Sequence, residues 1–472
     1  MLGFSSRGDE SRPITTIATF VLWSLIVISI ASPLYAAPSD VSASSTDNNN
    51  QLNVSGYLST RYVFRSAETS TPTELTFRDQ DLFGELRIDV AAPERGKYEF
   101  HFFGTVRGDL DDNQNIHTFD PLEDIGNATP KRYTGVLYEA HLDLNSLLPK
   151  VTQIRLGRQA GTRDEAIYFD GIAADIRMTG SLNFTVYGGA AVHFYEIDWK
   201  EGSDGLAGAG IDYTPAASTG ISLDYLTLKD SRDYLLLTDE KNNLLSLRLW
   251  QRFGDSLKAS AKVRYQDSDW RDMNLRILGS FSEARAEFGA AYFRQFKTQL
   301  AQANEISPFV DVLGPSYPYQ TIDLKVRKLL GSRYAVDIGY YQRAVLDSAD
   351  IGTFNRDFGR LSGAVSAEDV IWRGLALTIS GDRWSSESND YYSTGADITY
   401  RYAKSGTISA GTYYSLYKYG DLFFPREMDR VRTYYLSTKV PIARLVVMDL
   451  AYELEKGIDV YHVMRAGLRY DF

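Results

Sequence analysis

Cysteine is absent from the 472 residues, and histidine occurs only five times. Without thiols there is no disulfide framework, no thiolate metal centre and no attachment point for a c-type haem. Any redox group would have to be borrowed, and no cofactor is implied by the chain itself. Basic charge is also in short supply: 50 Lys and Arg face 61 Asp and Glu, a net charge of −11, which argues against nucleic acid as a partner. Beyond Ile30 no apolar run is long enough for a spanning helix. A Gly-x-Ser-x-Gly elbow is missing, and no Ser-His-Asp set gathers at one place, so the sequence offers no catalytic machinery.

What is present begins at the N-terminus. Arg7 and Arg12 precede an apolar run from Ile14 to Ile30, followed by Ser32, Pro33, Leu34, Tyr35, Ala36 and Ala37. A charged start, an apolar middle and a small-residue exit describe a secretory signal. Leu34 and Ala36 suit a cleavage site, with the cut expected after Ala36 and Ala37 as the second choice; no Cys follows it, which excludes a lipid anchor there. Residues 1–36 hold Arg7, Arg12, Asp9 and Glu10, two charges of each sign, so their removal leaves the net charge unchanged. A polar linker, residues 37–51, follows, and residues 52–472 form one all-β unit.

That unit alternates with period two, the repeat of a strand. Val460, His462, Met464, Ala466, Leu468, Tyr470 and Phe472 share one face, against Tyr461, Val463, Arg465, Gly467, Arg469 and Asp471. Leu182, Phe184, Val186, Gly188, Ala190, Val192 and Phe194 line another apolar face, while Leu257, Ala259, Ala261, Val263 and Tyr265 alternate with Lys258, Ser260, Lys262, Arg264 and Gln266. A charge at every second residue cannot sit in a dry sandwich core, where each unpaired charge costs several kcal/mol. Hydrocarbon outside and water inside accommodate it. Short turns near 91–96, 145–150, 179–181, 214–219, 253–256, 281–284, 329–333, 367–373, 403–406 and 440–444 alternate with longer, more acidic connections such as 110–132, 160–166, 267–271, 297–318 and 384–391. The expectation is a transmembrane antiparallel β-barrel of about 22 strands, with about 20 as the second choice, the first strand spanning Val54 to Phe64. The 32 Tyr and 23 Phe, with pairs such as Tyr340-Tyr341, Tyr413-Tyr414 and Tyr434-Tyr435, are expected at the membrane interfaces.

The ending Met464, Ala466, Leu468, Tyr470 and Phe472 resembles the C-terminal assembly signal of Gram-negative outer-membrane barrels, and the mature chain is similar to porins throughout. The resemblance implies outer-membrane placement among lipid and lipopolysaccharide, insertion by the barrel-assembly machinery and a porin-like channel. Ile154-Arg155-Leu156-Gly157-Arg158-Gln159 with Phe169-Asp170-Gly171-Ile172 resembles a hairpin of single-chain transport barrels such as alginate exporters, which keeps a substrate-specific exporter open. A sheath holding a multihaem cytochrome stays open as another class. TonB-dependent receptors differ, since here the linker leaves no room for a plug domain.

Opposite the lipid stripe, the tenth to fifteenth strands give a basic wall of Arg248, Arg252, Lys258, Lys262, Arg264, Arg276, Arg285, Lys325, Arg327 and Arg343. The early strands add Glu85, Asp89, Glu99, Glu139 and Asp143, a mixed to acidic wall. Such a transverse field tunes selectivity in pores and suggests anion preference; a lattice of salt bridges stiffening the wall is the competing reading. Asp109, Asp111, Asn113 and Asp120 resemble a calcium loop in spacing, but Gln114 stands where a Gly is needed for the turn and Asp120 replaces the bidentate Glu. A solvated acidic loop accounts for them better. His101 and His141 share lumenal parity on neighbouring strands, and two imidazoles can hold a metal; with no third ligand evident beyond Glu99 or Asp143, the pair reads as a chance meeting.

Overall fold

The computed structural model describes residues 52–472 apart from 70–74, 93–95, 112–121, 123–131, 162, 164–166, 193–203, 230–240, 299–316, 348–356, 387–388, 405, 419–427 and 458. The signal and linker segments, 1–51, lie outside the described residues, as do Asn113 and Asp120.

Twenty-two strands follow one another: Asn53–Thr69 (β1), Leu75–Ala91 (β2), Tyr98–Asp109 (β3), Tyr133–Leu148 (β4), Val151–Ala160 (β5), Tyr168–Arg177 (β6), Leu182–Val192 (β7), Gly205–Ala216 (β8), Thr219–Lys229 (β9), Lys241–Phe253 (β10) and Leu257–Gln266 (β11). The second half comprises Asp269–Phe281 (β12), Ala286–Gln295 (β13), Tyr319–Leu330 (β14), Tyr334–Val345 (β15), Phe358–Glu368 (β16), Leu375–Ser386 (β17), Asn389–Arg401 (β18), Thr407–Lys418 (β19), Met428–Ala443 (β20), Val446–Lys456 (β21) and Val460–Asp471 (β22). Every strand is antiparallel to the next, and β1 also pairs with β22 from Tyr57↔Asp471 to Glu68↔Val460, so the sheet closes on itself. Closure leaves no edge strand, which is the condition for a sheet to live in hydrocarbon. The seam ends on reciprocal backbone bonds, Gly56 N–H to the Phe472 carbonyl at 2.9 Å and Phe472 N–H to the Gly56 carbonyl at 3.0 Å.

Because cross-strand partners share a face, the register assigns each side chain to the inside or outside. Met464 opposes Phe64 and Leu468 opposes Thr60 on one face, while Arg465 opposes Val63 and Arg469 opposes Ser59 on the other. The first face is the outer one, since its large apolar side chains find no protein cover: Ile379 is 70% exposed, and Leu361, Val365 and Ile338 are each 54% exposed. A soluble surface does not carry a continuous apolar belt of that kind; a bilayer covers it. Among the described residues no helix occurs, and so none long and apolar enough to cross a membrane.

Several boundaries differ from the sequence expectation. β1 runs on to Thr69 rather than ending near Phe64. The connection expected near 267–271 is only Asp267 and Ser268, both with left-handed φ of 53° and 78°, the geometry that a two-residue hairpin requires of both central residues. The acidic composition there reflects turn chemistry rather than length. In Tyr340-Tyr341 and Tyr434-Tyr435 the two rings fall on opposite faces, because neighbours in a strand must. Only Tyr340 and Tyr434 therefore reach the outer belt.

Candidate functional site

Among the described residues charge gathers on the inner surface, and its two halves are built differently. On β10 to β15, Arg248 opposes Lys262, Arg252 opposes Lys258, and Ser260 opposes Arg276. The first two pairings place cation beside cation. Further round, Lys325, Arg327 and Arg343 occupy inward positions of β14 and β15. Carboxylates meet some of them: Arg264 and Asp272 at 2.8 Å, Lys325 and Asp323 at 2.8 Å, Arg327 and Asp337 at 3.8 Å. Lys258 lies over the Trp250 ring and Arg343 over Tyr319. Arg252 and Arg276 form no ion pair among the described residues. A cavity of about 810 Å³ opens against this wall, with Lys258, Lys325, Arg327 and Arg360 among its lining, answered by Glu287, Asp337 and Asp382. Arg285 does not belong to the strand wall. It stands at φ 47° in the turn before β13, its N–H donating to the Ser282 carbonyl; a four-residue turn ending in the left-handed region takes it out of the pleat.

The other half, β1 to β9, has few cations without partners. Asp81, fully buried, accepts from Arg65 and from both Nε and Nη2 of Arg107 at 2.9 and 2.8 Å. Arg61 and Arg107 flank the Phe83 ring. Asp143, also buried, takes Arg155 bidentately at 2.8 and 3.0 Å and Gln153 at 2.9 Å. Asp89 accepts from Arg87 at 3.1 Å and from His101 at 2.6 Å. The acidic residues expected on this wall, Glu85, Asp89, Glu99, Glu139 and Asp143, are thus placed inward by the register, but Asp89 and Asp143 are held in bonds rather than lining an open passage. At the rim, Asp109 ends β3 and the Asp111 N–H donates to its Oδ1 at 3.1 Å.

Three features were not anticipated. First, the inner face of β6 to β10 is apolar near its loop end: Phe169, Ala191, Leu206, Leu226, Leu228 and Leu244 all point inward and pack with Ile167. Leu226 and Leu228 could have betrayed this, since they break the polar alternation of Ser222 and Asp224. Second, Arg163, which follows β5, reaches into the barrel. The Gly161 N–H bonds the Ile167 carbonyl at the neck, and Arg163 passes the apolar patch to reach deeper groups. Its Nη1 donates to Thr185 Oγ1 at 2.8 Å and its Nη2 to Asp212 at 3.0 Å, while Nε meets Asp224. Thr185 in turn donates to Asp175 at 2.6 Å. Gly210 admits the guanidinium because a Cβ there would collide with it. Third, Arg158 and Asp170 form a bidentate pair, 2.8 and 2.6 Å, at positions whose register partners Ala140 and Ala190 face outward. The exporter-like hairpin therefore contributes Arg155 to the lumen and Arg158 to the outer wall.

The closed seam, the outer apolar belt and the charged interior together decide the architecture. It is that of a closed, 22-stranded transmembrane β-barrel. Neither a family model nor a curated relative matches the chain. Among solved structures, similar ones include a BenF-like porin from Pseudomonas fluorescens Pf-5, 12% identical with a TM-score of 0.45, and OccK8 (OprE) from Pseudomonas aeruginosa, 9% identical with a TM-score of 0.43. OpdK of Pseudomonas aeruginosa, crystallised with vanillate, is 14% identical with a TM-score of 0.39. Each comparison covers 89% of this chain and 98% of the other. At such scores these similarities add nothing to what the strand register shows.

Proposed function

We propose that the barrel is a passive outer-membrane channel for small hydrophilic solutes, with a preference for anions. The observation that carries this reading is the placing of Arg252 directly opposite Lys258, with Arg276 on the same inner face, beside a cavity of about 810 Å³ that Arg252 and Lys258 line. Like charges directly opposite one another destabilise a sheet, so their gathering makes sense where a solute or its hydration supplies the counter-charge. Next to that wall, the Arg163 side chain crosses the inner face of β7 to β9 and takes up room in the passage. It also occupies wall that a sheath around a cytochrome would need for its partner, which favours the channel over the electron conduit. The outer belt would contact lipid and lipopolysaccharide, insertion would rest on the assembly machinery, and residues 1–36 would direct export and be removed from the mature protein. N-terminal sequencing of the mature protein should then start at Ala37; finding Met1 would overturn the signal.

Reconstituted protein in planar bilayers should give stable conductance steps and an anion-selective reversal potential. Arg252→Gln with Arg276→Gln should move that potential toward cations at unchanged fold. These two are the informative positions, whereas replacing Arg264 would leave the buried Asp272 without its 2.8 Å partner. A cation-selective wild type would remove the anion preference and leave the channel. A haem-rich, electrically silent complex on purification from native membranes would overturn the channel itself.

A further inference from the structure

A second site lies apart from the basic wall, on the inner face of β3 and β4. His101 and His141 are direct register partners, their rings stacked with centroids 4.9 Å apart and planes inclined at 29°. Each ring has its Nδ1 engaged: that of His101 with Asp89 Oδ1 at 2.6 Å, that of His141 with the Arg158 carbonyl at 3.3 Å. Those acceptors fix both tautomers with the proton on Nδ1, so each Nε2 carries a lone pair. Both lone pairs lie close to carboxylates. His101 Nε2 is 3.7 Å from Asp143 Oδ2 and 3.7 Å from Glu99 Oε2, and His141 Nε2 is 3.9 Å from Asp143 Oδ1. One ligand atom from each of His101, His141 and Asp143 can be chosen so that all lie within 4.8 Å of one another.

We infer that His101, His141 and Asp143, with Glu99 at the open side, form a binding site for a divalent transition-metal ion, of which Zn²⁺ is the best match. Bonds of about 2.1 Å to four tetrahedral ligands set neighbouring donor atoms about 3.4 Å apart; the imidazole-to-carboxylate separations of 3.7 to 3.9 Å exceed that by a few tenths, and the whole set, within 4.8 Å, would draw in on an ion. A carboxylate or a carbonyl accepting the second ring proton is the support that metal-bound histidines almost always have, and here both are in place. Two imidazoles and oxygen donors suit Zn²⁺, Cu²⁺ or Ni²⁺ rather than Ca²⁺ or Mg²⁺. Asp143 also accepts from Arg155 and Gln153; a carboxylate has about four lone-pair positions, so ligation and these bonds coexist. Around the pair, Asp89, Glu99 and Asp143 outnumber Arg87 and Arg155, and Glu139 is the next inward residue after His141 on β4. The local field therefore favours a cation, in contrast to β10 to β15. The inference goes beyond the channel reading and does not depend on it.

Isothermal titration of the untagged, full-length mature barrel in detergent with ZnCl₂ should show saturable binding of one ion, resistant to excess Mg²⁺ and Ca²⁺. His101→Gln and His141→Gln should each weaken it by at least about tenfold, and Asp89→Asn, which removes support without removing a ligand, by about 10- to 100-fold. His462→Gln, whose ring meets Tyr452 elsewhere, should change nothing. Co²⁺ added to the wild type should give the visible absorption of a four-coordinate nitrogen and oxygen site, a readout that needs no variant to fold. Absence of one-to-one binding, affinity unchanged in the double His variant, or a cobalt spectrum of the hydrated ion would each overturn the site.

Discussion

The wall from β1 to β9 and the wall from β10 to β15 carry similar residues to different ends. On the first, carboxylates sit buried between guanidiniums: Asp81 and Asp143 have side-chain exposures of 0% and 2%. On the second, Lys325 is 73% exposed and Arg327 49%. Burial makes the difference. A buried pair is costly to break because the surviving partner is stranded without water, whereas an exposed cation is solvated whether or not a carboxylate stands nearby. The first wall is a scaffold whose charges hold one another; the second leaves part of its charge available to what passes.

Removing a charge from each wall should therefore give opposite results. The largest effect is expected for Asp81→Asn, which takes a buried carboxylate away from Arg107 and from one arm of Arg65, the other arm keeping Asp79 at 2.8 Å, and should cost about 3 kcal/mol, read as a lower urea midpoint for the folded barrel. An unchanged midpoint would dissolve the distinction. Arg163→Ala should cost about 1.5 to 3 kcal/mol locally, as charged hydrogen bonds are lost. It should appear as faster hydrogen exchange at the Gly161 amide and a larger conductance step; a step of the same size would mean that the side chain does not narrow the passage. Lys325→Gln on the second wall should cost less than about 1 kcal/mol while still moving the reversal potential.

The smallest effect concerns the rim beyond β3. Burial first, then the hydrogen bond with Asp109 and the charge of Asp79, push the Asp111 carboxyl up to about 8 from its ordinary 3.8. A folded value above the unfolded one means that the protonated form favours the fold. That contribution is complete below about pH 4 and is lost as pH rises through about 8. Exchange at this rim should quicken over that upper range, and Asp111→Asn should flatten the profile; a profile that is already flat would remove the effect.

The strand count, closure and the side most residues face were legible because a period of two allows only two answers per strand, and one puts charge into hydrocarbon; Arg158 and Asp170, which satisfy each other on the outer face, and Arg285 in its turn are the exceptions. Lys262, Arg264, Val263 and Leu468 are examples. Who bonds whom was not legible, because Asp81 gains Arg107 only once β2 and β3 are in register, and no local pattern sets that register in advance. The same holds for the imidazoles: their meeting could be suspected from parity, but the engaged Nδ1 atoms depend on Asp89 from β2 and on a carbonyl from β5. Arg163 lay hidden for another reason. An arginine between strands reads in sequence the same whether it points inward or outward, and only Gly210, too small to exclude it, hinted otherwise.

The bonds between Gly56 and Phe472 join points more than four hundred residues apart, which bears on how the molecule comes into being. A loop of that length closes late, and nothing local can nucleate it. Until β22 arrives, β1 keeps a row of unpaired amide and carbonyl groups, an edge that recruits whatever strand is nearest. Gly56 leaves little tolerance, since a methyl group there would run into the Arg87 carbonyl and the Phe472 ring. A chain stopped before β22 is therefore not a narrower pore but an adhesive sheet, and completion of the barrel is an all-or-none event.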